Sequence, residues 1–149
     1  MEHGFPMKRL LPLLFFSLLS FYAAAASSAE LQLVLVTNAQ SPITTLTPVE
    51  ARRLYLGVPV QVNGRTITPL RNTSEARLQE VFMQRVMYMA TEAYERQILN
   101  RVFRTGGQRP PMYSELRELV EALKNNPLAI SYMWHETALA TPAVKIVSE

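Results

Sequence analysis

Residues 47–77 read TPVEARRLYLGVPVQVNGRTITPLRNTSEAR. Thr47 is placed to cap a helix, Pro48 suits its first position, and Glu50 can bond back to the cap. The helix is expected to run to Leu56, with Gly57 ending it. Val58–Val62 and Arg65–Leu70 are β-branched runs around Asn63-Gly64, which predicts a tight hairpin. The second run ends at Arg71, and Asn72-Thr73-Ser74 then offers capping side chains for another helix.

Outward from this stretch the same alternation continues. Leu31–Val36 predicts a short buried strand, followed by a polar loop over 37–45. Leu78, Val81, Phe82, Val86 and Met89 recur at helical spacing. Thr91 is expected to cap a second helix, with Tyr94, Ile98 and Val102 on one face, and residues 105–111 break it. Ser114 is expected to cap a third helix striped by Leu116, Leu119, Val120 and Leu123, stopped by Asn125-Asn126-Pro127. Leu128–Trp134 and Ala143–Val147 predict closing strands. Strands alternating with helices predict one α/β domain with a mixed sheet, the hairpin supplying its antiparallel part.

The amino-terminal segment reads as an export address. Met7-Lys8-Arg9 is basic, residues 10–26 are mostly apolar, and Ser27-Ser28-Ala29 is small, the order of a signal peptide. Residues 1–29 are therefore expected to be removed, by cleavage after Ala29 or alternatively after Ala26, leaving a domain over 30–149. The expected compartment is the periplasm, with no stable membrane insertion after cleavage.

Composition narrows the chemistry. The chain of 149 residues has no Cys, two His, 12 Glu, no Asp, 12 Arg and 3 Lys. Without Cys, Asp or a His pair, most metal and hydrolase constellations are unavailable, so no metal, no cofactor and no catalytic residue is expected. The net charge of +3 is too mild to indicate nucleic acid. The surplus of Arg points to a small anion. The best candidate seat is Arg71, Thr73 and Ser74: a planar cationic fork beside hydroxyls at the start of a helix, whose amides favour an oxyanion. Arg77 stands at the rim, and the loop after the first strand adds Asn38 and Ser41. Glu75 competes for the same positive end. The alternative for each is structural: caps satisfying their own helix and a polar connection. His135-Glu136 is the one acid–base pair, and nothing nearby supplies a nucleophile motif.

Four stretches carry a resemblance. Leu54-Tyr55-Leu56-Gly57 with the following hairpin, Thr68–Arg71 with Thr73-Ser74 and Phe82, Val102-Phe103 with Gly106-Gly107, and Asn126-Pro127-Leu128-Ala129-Ile130-Ser131-Tyr132 resemble, in that order, segments of the phosphate-binding proteins of ABC importers. Those are type 2 periplasmic solute-binding proteins with two lobes. The resemblance spans about Val34 to Val147 and implies a small single-lobe relative with oxyanion binding by Arg71 and the adjacent hydroxyls. The chain departs from the pattern at Glu75 and Ala76, where the family has glycine near the anion, and at Leu128 and Ser131, also glycines there. The tryptophan that follows the Tyr-Leu-Gly stretch is absent too. These departures carry a second expectation: a periplasmic interaction or sensory accessory module that keeps the fold, has lost the ligand, and docks on a periplasmic or membrane protein.

Overall fold

The computed structural model describes Gly4 and residues 31–148. Apart from Gly4, the expected signal peptide and both cleavage sites lie outside the described residues. The elements are β1 (Leu33–Asn38), α1 (Pro48–Tyr55), β2 (Gln61–Val62), β3 (Arg65–Thr66), β4 (Thr68–Pro69), β5 (Arg71–Asn72), α2 (Ala76–Phe82), α3 (Thr91–Thr105), β6 (Met112–Tyr113), α4 (Leu116–Asn125), β7 (Ala129–Trp134), α5 (His135–Leu139) and β8 (Val144–Ile146). A π-helical turn, Met83–Met87, prolongs α2.

Local chemistry explains α1. The Thr47 hydroxyl accepts from the Glu50 amide at 3.2 Å, and the Glu50 carboxylate accepts from the Thr47 amide at 2.9 Å. The Thr47 amide, and after it the Thr47 hydroxyl donating to the same carboxylate at 2.8 Å, hold the Glu50 carboxyl below its ordinary range. After the helix, Gly57 takes φ +84°, where a side chain is strained. Asn63 and Gly64 both have positive φ, 50° and 74°, and close the β2–β3 hairpin as expected.

The hairpin stands apart as its own two-stranded sheet, so it does not provide the antiparallel part of the main sheet. That sheet has the order β4-β7-β1-β8, with β1 antiparallel to both β7 and β8 and β4 parallel to β7. A further parallel pair joins β5 to β6.

Every residue of β7 is buried. Tyr132 and Trp134 join Tyr55, Phe82, Tyr94 and Ile98 on one face, while Ala129 and Met133 join Leu119, Leu123 and Ala138 on the other. Helices thus cover both faces, and side-chain alternation along the strand assigns each residue to a layer. Phe82 stacks on Tyr132 with centroids 3.7 Å apart, and Tyr55 meets both rings edge-on.

Three expected caps move by one residue. Glu75, Ala90 and Glu115 occupy the N-cap positions of α2, α3 and α4, and none makes a side-chain cap bond. Ser74 fails to cap because its hydroxyl and amide both turn back to Asn72 Oδ1, at 2.6 and 3.1 Å. Thr91 lies inside α3 as its first residue, and Ser114 lies two residues before α4.

Two stability measurements test this reading. Thr47→Ala should cost about 1 kcal/mol in urea unfolding at neutral pH. Part of that contribution is the hydroxyl's bond to the Glu50 carboxylate, whose depressed carboxyl makes it present above the ordinary carboxylate range and lost as pH falls through the lower folded value, so the difference between the two proteins should narrow in acid to that of the cap bond alone. Gly57→Ala should cost about 1–2 kcal/mol, chiefly through φ. An unchanged midpoint would contradict either assignment.

Candidate functional site

The site begins with how β4 and β5 are held against β7. The Leu70 amide donates to the Ile130 carbonyl at 2.8 Å, and the Leu70 carbonyl accepts from the Tyr55 and Ser131 hydroxyls, each at 3.0 Å. Asn72 Nδ2 donates to the Tyr132 carbonyl at 2.9 Å. On the other edge the Arg71 amide reaches the Pro111 carbonyl at 2.8 Å. These bonds fix the backbone on both sides of residue 71, and its side chain runs inward with 1% exposure.

A buried guanidinium needs compensation, and α3 supplies it. Arg71 Nη1 lies 2.7 Å from Glu95 Oε1. Arg109, from the loop after α3, pairs with the other Glu95 oxygen. The Arg71 guanidinium carbon stands 4.8 Å over the Tyr94 ring, a cation–π contact. Arg71 Nε and Nη2 and the buried Tyr132 hydroxyl have no hydrogen-bond partner. Burial drives the Tyr94 hydroxyl up to about 12 against the pull of Arg71. The Tyr132 hydroxyl is pushed up by burial and is likewise drawn back by Arg71. Both phenols are therefore neutral at physiological pH, and that of Tyr94 donates to the Tyr55 carbonyl at 2.7 Å.

The other expected site residues do not gather around this guanidinium. Thr73 donates its hydroxyl to the Tyr113 carbonyl at 3.1 Å, and Ser74 is held by Asn72. The Glu75 carboxylate accepts from Trp134 Nε1 at 2.9 Å. Arg77 is 70% exposed and lies 3.8 Å from Glu80.

Asn38 and Ser41 are at the far end of the sheet. Because β1 runs antiparallel to β7, the chain leaves β1 where β7 begins, whereas Asn72 sits opposite Tyr132, near where β7 ends. Asn38 Nδ2 instead donates to the Leu123 and Lys124 carbonyls at 3.0 and 2.9 Å, satisfying the end of α4. Ser41 donates to the Pro127 carbonyl. The expectation that both loops converge on one seat is corrected by strand polarity.

Sequence reading missed Glu95 and Arg109. Glu95 lies on a polar stretch of α3 that reads as a solvated face, and only the tertiary fold brings it to Arg71. A cleft of about 270 Å³ borders Arg109 and is lined by Gly57, Thr68 and Pro111 among others, but neither Arg71 nor Glu95 lines it. Among the described residues there is no cluster of three or more His, Cys, Asp or Glu suited to a metal. No helix among them is long and apolar enough to cross a membrane. His135 is half-buried and opens α5, and its amide is tied to the Gln32 carbonyl at 2.7 Å.

The ion pair makes a direct prediction. Glu95→Ala should lower stability by about 3 kcal/mol, the lower end for breaking a buried pair, because Glu95 is itself 31% exposed. Urea unfolding checks this, and a loss below about 0.5 kcal/mol would place the pair among ordinary surface bridges.

No family model matches the chain, and no curated protein matches it. Solved structures do. PstS from Borrelia burgdorferi superposes with a TM-score of 0.57 at 17% identity, covering 78% of this chain and 46% of its own. An ABC-type phosphate transport receptor from Vibrio cholerae gives 0.57 at 13% identity, covering 77% and 44%. The chain thus spans less than half the length of these proteins. Its layered α/β architecture, with a mixed sheet between helices, is that of a single lobe of the periplasmic solute-binding proteins of phosphate ABC transporters.

Proposed function

We propose that this protein is a non-catalytic, exported binding domain that holds a small oxyanion at Arg71, inorganic phosphate being the first candidate. The observation that carries this reading is the buried guanidinium. A full positive charge sits at 1% exposure with Nε and Nη2 unpartnered, and a second arginine, Arg109, stands on the solvent side of it. Planar forks of this kind suit bidentate contact with tetrahedral oxyanions. The phosphate receptors that share the fold support the choice of anion. Thr73 and Ser74 lie next along the chain, and their hydroxyls would reach an anion only by giving up their present partners. Arg77, Asn38 and Ser41 fall outside this narrower site.

A single lobe leaves one side of the anion in water, so binding should be weak beside that of a closed two-lobed receptor. Isothermal titration of the folded domain with phosphate and with sulfate tests the reading. We expect saturable heat with the wild type, reduced at least about tenfold in affinity by Arg71→Lys, which keeps the charge and loses the fork. No heat with either anion, or equal affinity in the variant, would overturn it.

A second reading rests on a different observation. Leu99 and Phe103, one turn apart on α3, are 43% and 79% exposed. Apolar side chains so placed suit an interaction or sensory accessory module. A stoichiometric partner captured from periplasmic extract without phosphate, and lost in Phe103→Glu, would favour it. Capture unaffected by that substitution would count against it.

A further inference from the structure

Glu95 occupies the place an external anion would take. Its two oxygens are divided between Arg71 and Arg109, and its carboxylate is the one negative group on the buried guanidinium among the described residues. We infer that Glu95 is a built-in competitor, and that an oxyanion enters the site by displacing this carboxylate from between the two arginines. The inference rests on the oxyanion reading of Arg71.

The geometry supports exchange over simple addition. Arg71 is sealed at 1% exposure, so an anion reaches its nitrogens only when a neighbouring side chain moves aside. Glu95 is 31% exposed, and Arg109 beyond it 45%, so the path to solvent runs through these two side chains. The Arg71 side chain is enclosed at 1% exposure while that of Glu95 is 31% exposed, so the carboxylate is the member of the pair with room to swing toward solvent.

The exchange also selects among anions. A carboxylate has two oxygens, and both are already used by one nitrogen of each arginine. On the same fork as the nitrogen that holds Glu95, Arg71 Nη2 has no hydrogen-bond partner. A tetrahedral oxyanion in Glu95's place keeps one oxygen for Nη1 and one for Arg109 and brings a further oxygen to Nη2, which shares the end-on fork with Nη1. Leaving buried donors unpaired is costly, so phosphate or sulfate gains what a monocarboxylate cannot. The device thus keeps the core neutral when empty and favours tetrahedral oxyanions over carboxylates when filled.

The test compares wild type with Glu95→Gln by calorimetry using inorganic phosphate, sulfate and acetate, alongside thermal unfolding. If the ligand-ready state is a minority of about 10% or less, removing the competitor raises affinity about tenfold or more. We expect Glu95→Gln to bind phosphate and sulfate at least that much more tightly, to melt lower without anion, and to regain its midpoint with either anion but not with acetate. Glu95→Asp, whose shorter arm draws the carboxylate back while keeping its charge, should show the same direction and carries the test if Glu95→Gln does not fold. Wild-type binding with equal or weaker affinity in both variants would refute displacement and leave the oxyanion site standing. A variant that binds acetate as well as phosphate would refute the selection. No binding by any form would overturn both.

Discussion

A guanidinium in a protein interior cannot simply be left there. Arg71 is 1% exposed, and taking such a charge out of water costs several kcal/mol unless an opposite charge and hydrogen bonds replace the lost solvent. Glu95 provides the charge, the Tyr94 ring provides a polarisable face, and Arg109 holds Glu95 from outside. The arrangement ties α3 and the loop behind it to β5, two elements that share little apolar packing. Replacing a buried pair with apolar side chains of similar volume is often neutral or stabilising, so its presence is weak evidence for stability.

The sheet decides where Arg71 sits. β7 is buried on both faces and pairs with β1 on one edge and β4 on the other. Because those neighbours run in opposite directions, polar loops leave the sheet at both ends. The end beyond β1 is spent on structure: Asn38 closes α4 and Ser41 anchors the loop before β7. Position 131, glycine in the related pattern, carries a serine whose hydroxyl clamps the Leu70 carbonyl. That contact steadies the residue preceding Arg71, so the departure from the pattern has a positive structural role.

Much of the fold could be read from local signals. The Thr47 box, the Asn63-Gly64 turn and the apolar run into Trp134 each depend on neighbours within a few residues, and each forms as expected. Strand direction is not local. A run buried on both faces has no alternation that reveals its polarity, so the antiparallel setting of β1, and the separation of Asn38 from Arg71, escaped sequence reading. The Ser74 cap failed for a local reason: Asn72 offered Ser74 a nearer partner than its own helix. Arg71 stood out in the sequence because it follows a strand and precedes capping hydroxyls, but its burial did not. Nor did its partner, since Glu95 on a polar helix looks like any solvated carboxylate until tertiary structure turns it inward.

The burial and pairing of Arg71 are most directly measured by nitrogen-detected NMR of the arginine side chains. The Arg71 Nε proton should exchange with water far more slowly than those of exposed arginines such as Arg77, and its resonance should shift on titration with phosphate while theirs stay put. A spectrum in which every arginine Nε proton exchanges at the rate of a solvated side chain, with no selective response to phosphate, would contradict the buried ion pair.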